Sequence, residues 1–479
     1  MQNKIRVHFM GICGSGMSSI AVVAKQNGYE VSGCDMSISD YYGQSLAEND
    51  IEVLEGHDAS HLENVDIVAI SPAILDVSPN HPEVVEAKNR GILMTWQEFM
   101  AKYLHKGKEL ISISGTHGKT TTTILTGVLL EKAGLDPTVV AGTNYSKWGK
   151  GCRIGETDLF VCEADEFNNN FLNYESSIAV VNNLEMDHPE SFSDFTMMKE
   201  AFKSFIKKLK GPKILIINEE SVGIREIIDE LRVWLSENKV KLIGYYIHNH
   251  FDYPYYKEYK VNILNQSEQQ VEYEIEIGNE KDTIIQSIPG EYNVNNTMSA
   301  ICIALELGVS KKVIFDGVKA FHGVGRRFEL VGIVDDIRIY DDYAHHPTAI
   351  TSVLSMCKKN NPIQRIWAIL EPHQISRIRM FFKEFTTALG IADHVIITKT
   401  HLGREIHKGI TPISREEWTD AIGEDKTWFI EEAEEVTDFI TKNAQTGDLV
   451  VVFGAANSYH ISRSILTSLM EHRKTIDSI

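Results

Sequence analysis

No apolar run in this sequence approaches the roughly 20 residues that a bilayer-spanning helix requires. The residues after Met1 read as a strand, Ile5-Arg-Val-His-Phe-Met10, instead of a signal peptide. A cytoplasmic protein without membrane insertion is therefore expected. Cysteine is sparse: the residues at 13, 34, 152, 162, 302 and 357 form no Cys-x-x-Cys pair. A chain this long needs no disulfide framework, so six reduced and mostly buried thiols are expected. Basic residues fall short of acidic ones, 47 against 67, for a formal net charge of −20. That balance argues against a broad surface for nucleic acid or an anionic membrane, while leaving room for a local basic pocket. Low-complexity tracts, internal repeats and long flexible linkers are absent as well, so any domain joints are short hinges. What is present is ample apolar material, 43% of 479 residues, enough for about three domains at roughly 150 residues each.

The most informative stretch is Glu109-Leu-Ile-Ser-Ile-Ser-Gly-Thr-His-Gly-Lys-Thr-Thr-Thr-Thr123, where an apolar strand enters a glycine turn and then Lys-Thr at a helix start. Backbone N–H groups of Gly115, Thr116, His117, Gly118 and Lys119 are placed to face polyphosphate oxygens. The helix dipole favours their charge, Lys119 reaches the β- and γ-phosphates, and Thr120, followed by Thr121, offers a hydroxyl to Mg²⁺. The loop is shorter than a standard P-loop, whose first glycine would fall at Ile113. A capped helix after a buried strand explains the threonines but not the lysine.

Residues 1–105 alternate strand and helix and predict a small doubly wound, Rossmann-like sheet. Its first turn, Gly11-Ile-Cys-Gly14-Ser15-Gly16-Met17, opens a helix, and Asp35 closes the next strand about 20 residues on, where a ribose-binding acid belongs. The glycines are spaced in reverse of the standard fingerprint, so a nucleotide diphosphate at the helix N-terminus is better supported than NAD. An NAD-dependent oxidoreductase would leave the second phosphate loop without a purpose. Residues 106–323 form a second α/β unit, with an antiparallel extension between Gly244 and Ile288 and a long helix from Asn293 to Gly308. Residues 324–479 form a third α/β unit. The expectation is an α/β protein of three domains in series.

Glu163, Asp165 and Glu166 follow one apolar strand, and Glu185, Asp187 and His188 follow another. Two acidic strand ends after one phosphate loop suit metal-assisted phosphoryl chemistry. Arg326 and Arg327 stand at the joint between the second and third units, where an arginine serves as a phosphoryl-stabilising finger. His345 and His346 are adjacent on an extended segment, so they point to opposite faces and do not share a metal.

Taken in order, Gly11-x-x-Gly14-x-Gly16-Met17, Ser71-Pro-Ala-Ile74, Asn80-x-Pro82-Glu83, Gly115-Thr-His-Gly-Lys-Thr-Thr121, Glu163-Ala-Asp-Glu166, Asn183-Leu-Glu-Met-Asp-His188, Pro289-Gly-x-x-Asn293, Arg326-Arg-Phe328 and Asp342-Tyr-Ala-His-His-Pro347 resemble the Mur ligase family. The similarity is to the branch that adds L-alanine, or a whole recycled peptide, to UDP-N-acetylmuramate, with archaeal pseudomurein ligases as relatives. It implies an ATP-dependent carboxylate–amine ligase acting through an acyl phosphate on a UDP-linked sugar acid or peptide and an amino acid or short peptide; a monomer or homodimer is expected, and the sequence does not choose between them. By position, Lys119 would hold the phosphates and Thr120 one Mg²⁺, with Glu163 and His188 on a second. Asn293 and Asn296 would contact adenine, Asp342 the ribose and Arg327 the phosphates. Gly14, Ser15, Gly16, Met17, Asp35, Ser71 and Asn183 would belong to the UDP-substrate site, and His346, His373 and Arg377 to the amino acid. Gln374 stands where the alanine-adding branch carries arginine, which leaves the amino acid open. A non-catalytic nucleotide switch is disfavoured because Lys119, Glu163 and His188 are retained together.

Overall fold

The chain folds into three sheets, one for each run of strands. The computed structural model describes residues 4–38, 40–277, 280–360, 364–402, 405 and 409–477. In the first sheet β1 (Arg6–Met10), β2 (Glu30–Asp35), β3 (Glu52–Glu55), β4 (Ile67–Ile70) and β5 (Leu93–Thr95) take the order β3-β2-β1-β4-β5, all parallel. The order changes direction between β1 and β4, and the first glycine turn leaves β1 at that crevice, where open α/β sheets bind ligands.

The central sheet comprises β6 (Glu109–Ser114), β7 (Thr138–Tyr145), β8 (Lys150–Arg153), β9 (Leu159–Glu163), β10 (Ile178–Val181), β11 (Ile214–Asn218), β12 (Lys241–Tyr246), β13 (Lys257–Gln266), β14 (Val271–Ile277) and β15 (Glu280–Gln286). Their order is β15-β14-β13-β12-β11-β10-β6-β9-β7-β8. The pairing is parallel from β13 across to β7, and antiparallel in the extension β13-β14-β15 and in the hairpin β7-β8. The hairpin does not stand out in the sequence, because Gly142 and Asn144 interrupt the alternation of β7. The third sheet, β16 (Glu329–Val334), β17 (Ile337–Asp342), β18 (Ile366–Leu370), β19 (His394–Ile397), β20 (Thr427–Phe429) and β21 (Leu449–Phe453), runs β16-β17-β21-β18-β19-β20 and is parallel except for β16-β17.

Strands such as β10, β11 and β21 are buried along their whole length, as expected where helices cover both faces of a parallel sheet. The two joints between domains differ in kind. Val7, Phe9 and Ile20 of the first domain share one apolar core with Leu110, Phe160 and Val181 of the second. The third domain has cores on the two faces of its sheet, with Tyr292 of the second domain packed against one of them, and it also meets the second through polar side chains.

The helix Lys119–Lys132 that follows the phosphate loop is buried over most of its surface. It lies close against β7 because residue 127 has no side chain: a Cβ there would sit 2.7 Å from Val139 Cγ2 and 2.8 Å from the Trp148 ring. Gly127→Val is therefore expected to lift the helix off the sheet, costing about 1–3 kcal/mol. The check is a lower midpoint for the central domain in thermal or urea unfolding.

Candidate active site

The phosphate loop leaves β6 between its two sheet neighbours, β9 and β10, so the carboxyl ends of three adjacent strands converge on it. Gly118, at φ +81, takes a left-handed turn, and a Cβ there would lie 2.0 Å from Asn296 Oδ1. Only glycine fits. Asn183, just past β10, clamps the loop from the other side. Its Oδ1 accepts from the His117 N–H at 2.7 Å, and its Nδ2 donates to the His117 carbonyl at 3.1 Å.

Lys119 Nζ donates to the Gly115 carbonyl at 2.8 Å and to both Glu166 oxygens at 2.8 and 3.0 Å. Burial works to strip its proton, but Glu166, Asp165 and Glu163 outweigh that and hold its pKa above the ordinary value. Glu163, the last residue of β9, accepts from the Gly142 N–H at 2.5 Å. Burial raises its pKa against the opposing pull of that N–H, Lys119, Arg327 and the Thr120 hydroxyl. His188 lies 3.6 Å from Glu166 and 3.2 Å from Glu190. Although burial opposes it, Asp187 and its other acidic neighbours raise the His188 pKa.

Arg326 and Arg327, adjacent in sequence, face different ways. Arg326 is buried within the third domain, donating to the Gly454 and Ala456 carbonyls and to Ser458 Oγ. Arg327 crosses the joint and donates to Thr120 Oγ1 at 3.3 Å. Asp342, at the end of β17, accepts from the Phe328 N–H at 2.6 Å and the Ala344 N–H at 2.7 Å, and burial raises its pKa to about 6.

All three domains line one cavity of about 1010 Å³. The first contributes Gly14, Ser15, Gly16, Met17 and Ser71. The second contributes Thr116, His117, Gly118, Lys119, Thr120 and Thr121, together with Glu163, Asn183, His188 and Asn293. Arg327, Asp342 and His346 complete the wall from the third.

Three family models match successive parts of this chain: "Mur ligase family, catalytic domain" at 6–107, "Mur ligase middle domain" at 113–304 and "Mur ligase, glutamate ligase domain" at 326–456. The chain belongs to the Mur ligase family. The UDP-N-acetylmuramate–L-alanine ligase of Alkaliphilus metalliredigens is 32% identical over 463 residues, 96% of either chain. Among solved structures, the UDP-N-acetylmuramate–alanine ligase of Thermotoga maritima superposes with a TM-score of 0.80 at 22% identity, covering 98% of this chain and 100% of that one. A murein peptide ligase from Psychrobacter arcticus gives 0.72 at 24% identity, over 97% and 98%.

Five residues expected at ligands in this Mur ligase lie outside the cavity wall. Gly115 lies behind the phosphate loop, where its carbonyl accepts from Lys119. Asp35 turns to the first glycine loop, its Oδ2 accepting from the Cys13 N–H at 2.9 Å. Asn296 is buried against the phosphate-loop helix, and its carbonyl accepts from Thr122 Oγ1 at 3.2 Å. Arg377, 1% exposed, donates from Nε to Asp187 at 2.8 Å, and His373 lies against it at 3.5 Å. The reason is electrostatic: Asp187 is buried, and Arg377 is the cation that holds its carboxyl well below the usual range against the effect of burial. An amino-acid carboxylate would have to compete with that pair.

His345 and His346 both face the cavity but have different neighbours. His345 meets the His373 ring, whereas His346 meets His117 and lies 3.7 Å from Glu185. Burial, with His117 adding to it, lowers His346 to about 4, so it is neutral at pH 7. Sequence reasoning misses Asn295, whose Oδ1 is buried without a hydrogen-bond partner, and Trp96, which packs over Gly16. Both line the cavity. The only signal for Asn295 is its place in the run Asn293-Val-Asn-Asn296, and Trp96 carries none.

Two outcomes follow from these charges. Arg377→Met strips the buried Asp187 of its principal cation, with His188 at 3.9 Å left beside it, which should cost about 3–5 kcal/mol in denaturant unfolding. For Asp342, the folded pKa of about 6 lies above the ordinary 3.8. Folding therefore takes up a proton in that window, and this contribution to stability is lost as pH rises through it. Binding that needs the carboxylate runs the other way. The kcat/KM for ATP should fall as pH drops below about 6, and Asp342→Asn should remove that limb of the profile.

Proposed function

We propose that this Mur ligase joins L-alanine to the carboxylate of UDP-N-acetylmuramate while splitting ATP to ADP and phosphate. The observation that carries the reading is full-length similarity to alanine-adding ligases, together with a phosphate loop, buried carboxylates and a cross-domain arginine on one cavity. We divide the chain at 105/106 and 323/324 into UDP-substrate, ATP and amino-acid domains. The enzyme is an ATP-dependent carboxylate–amine ligase, with the Mg²⁺ dependence typical of its family.

In this reading, Gly14, Ser15, Gly16, Met17 and Ser71 take the UDP end, with Asp35 and Asn183 holding the loops that line it. Lys119 exchanges its Glu166 contact for the β- and γ-phosphates, and Arg327 adds charge to the γ-phosphate as the third domain closes. The substrate carboxylate attacks that phosphate and ADP leaves; the amine then attacks the carbonyl carbon of the acyl phosphate, gives up a proton to solvent, and phosphate leaves. The work is charge neutralisation and alignment more than strong base catalysis. Asn293, with Asn296 behind it, faces adenine, and Asp342 faces the ribose. His346, neutral, serves the amino-acid end.

Oxygen donors suit Mg²⁺, and Thr120 and Glu163 supply them beside the loop. We assign one Mg²⁺ to Thr120 and a second to Glu163 and His188; Asp165 and Glu166 cluster with His188, whereas Glu163 stands outside that cluster. Mg²⁺, when bound, supplies neutralisation of the phosphate and carboxylate charges. We further propose a cytoplasmic monomer or homodimer.

Gln374, buried and neutral beside Glu190, and an Arg377 already engaged by Asp187 favour a second reading, in which a short peptide replaces alanine. Phosphate release from ATP, with Mg²⁺ and UDP-N-acetylmuramate, should be stimulated by L-alanine above other amino acids and wall peptides. Stimulation by a peptide selects the second reading. Silence across the panel overturns both and directs the search to another UDP carrier, as in pseudomurein. Lys119→Ala should lower turnover by about 100-fold or more.

A further inference from the structure

Beneath the first glycine turn and away from the cavity, four side chains with metal-ligating atoms meet inside the first domain. His8 comes from β1 and Cys34 from β2, His61 from the short 3₁₀ turn Ala59–Leu62, and Glu83 from the start of the helix Pro82–Asn89. One donor atom from each lies within 4.8 Å of all the others. His8, Cys34 and Glu83 are wholly buried.

Three of the donors have the spacing of one face of a coordination tetrahedron. His8 Nε2 is 3.3 Å from Cys34 Sγ and 3.2 Å from Glu83 Oε1. Cys34 Sγ is 3.4 Å from the same oxygen, and His61 Nδ1 is 3.8 Å from Glu83 Oε2. A tetrahedron with zinc–ligand bonds of about 2.0–2.3 Å has edges of about 3.3–3.8 Å. His8 Nε2, Cys34 Sγ and Glu83 Oε1 already have about that spacing, and His61 Nδ1, which faces the other carboxylate oxygen, would have to move in to close on an ion.

Hydrogen bonding accounts for only part of the cluster. His61 Nδ1 is buried and has no hydrogen-bond partner, although it is aimed at the carboxylate. Glu83 is a carboxylate with no solvent exposure, and among the described residues its ion-pair partners are His8, His57 and His61, with no lysine or arginine. A buried anion calls for a compensating cation. Around the four stands a ring of orienting partners. Ser32 Oγ lies 2.9 Å from His8 Nδ1, which leaves Nε2 for the cluster when Nδ1 carries the proton. His57 Nδ1 lies 3.1 Å from Cys34 Sγ, and the Asp58 N–H donates to Glu83 Oε2 at 3.0 Å. Such outer contacts fix ligand direction in metal sites.

We propose that His8, Cys34, His61 and Glu83 bind one divalent cation of the zinc class, separate from the Mg²⁺ positions of the cleft. One thiolate, two imidazoles and one carboxylate form a donor set that suits zinc or cobalt over magnesium. With four protein ligands the site is closed, so the ion is structural. Binding releases the Cys34 thiol proton to solvent while both histidines ligate as neutral rings. The ion ties down the end of β2. That end holds the glycine turn, because the Cys34 carbonyl accepts from the Gly11 and Ile12 N–H groups at 2.8 and 3.1 Å. A consequence for UDP-substrate affinity rests on the function proposed above, whereas the metal site itself does not.

The test uses the full chain without substrate. Protein stripped with a chelator and reloaded with zinc is passed through gel filtration and its metal content measured; a cobalt-loaded sample gives the absorption spectrum. About one equivalent of zinc should stay bound and raise the unfolding temperature. The cobalt form should show a thiolate-to-metal charge-transfer band that Cys34→Ser abolishes, and His61→Gln should weaken zinc binding by about tenfold or more. Should Cys34→Ser fail to fold, His61→Gln, at the partly exposed rim, and the wild-type cobalt spectrum carry the test. Retention of no zinc by the reloaded wild type, or equal retention by wild type and His61→Gln, overturns the proposal.

Discussion

Carboxylates buried at the ends of β9 and β10 set the terms for the rest of the molecule. Glu163, Glu166 and Asp187 sit where water cannot solvate them well, and each needs a cation in a low-dielectric setting. Their own domain offers Lys119, while Arg327 and Arg377 arrive from the third domain. The position of the third domain is therefore dictated by charge as much as by shape. The same need explains the lysine in the phosphate loop. Its contact with Glu166 neutralises that carboxylate and ties the loop to the end of β9.

The contrast between the two joints has a mechanical reading. A shared apolar core fastens the first domain to the second, and moving it would expose hydrocarbon. The third domain meets the second through Arg327 to Thr120, Arg377 to Asp187 and Thr348 to Glu185. The Arg327 and Thr348 contacts lie on the cavity wall and can exchange for ligand, whereas the buried Arg377–Asp187 pair is costly to break, so any motion at this joint has to preserve it. The part of the cavity wall that the first two domains share is thus built on a common core, and the third domain adds its part through these contacts.

Much of this was legible in the chain. Buried parallel strands advertise themselves as short apolar runs, and a glycine followed by Lys119 and threonines at a helix start is a pattern that little besides a phosphate ligand calls for. The interrupted β7, with Gly142 and Asn144, gave no period to read, yet Gly142 supplies the N–H that caps Glu163. Pairing was harder still. Nothing local in Arg377 says that it answers Asp187, 190 residues earlier, and Asn296 cannot be told from Asn295 without knowing which side of the helix meets Gly118. The buried set at positions 8, 34, 61 and 83 was invisible for the same reason: its members come from four separate elements, and only the fold brings them together.

Arg326 and Arg327 leave the chain no slack at the joint between the second and third domains. Arg326, at φ +59, is bolted to the 454–458 turn of its own domain. The very next side chain reaches into the neighbouring one, and both guanidinium groups lie over the Tyr343 ring, at 5.1 and 4.6 Å. The lever arm is one residue long. Any rotation of the third domain is transmitted to the Arg327 guanidinium almost undamped, so that the tip of a single side chain registers whether the two bodies have met.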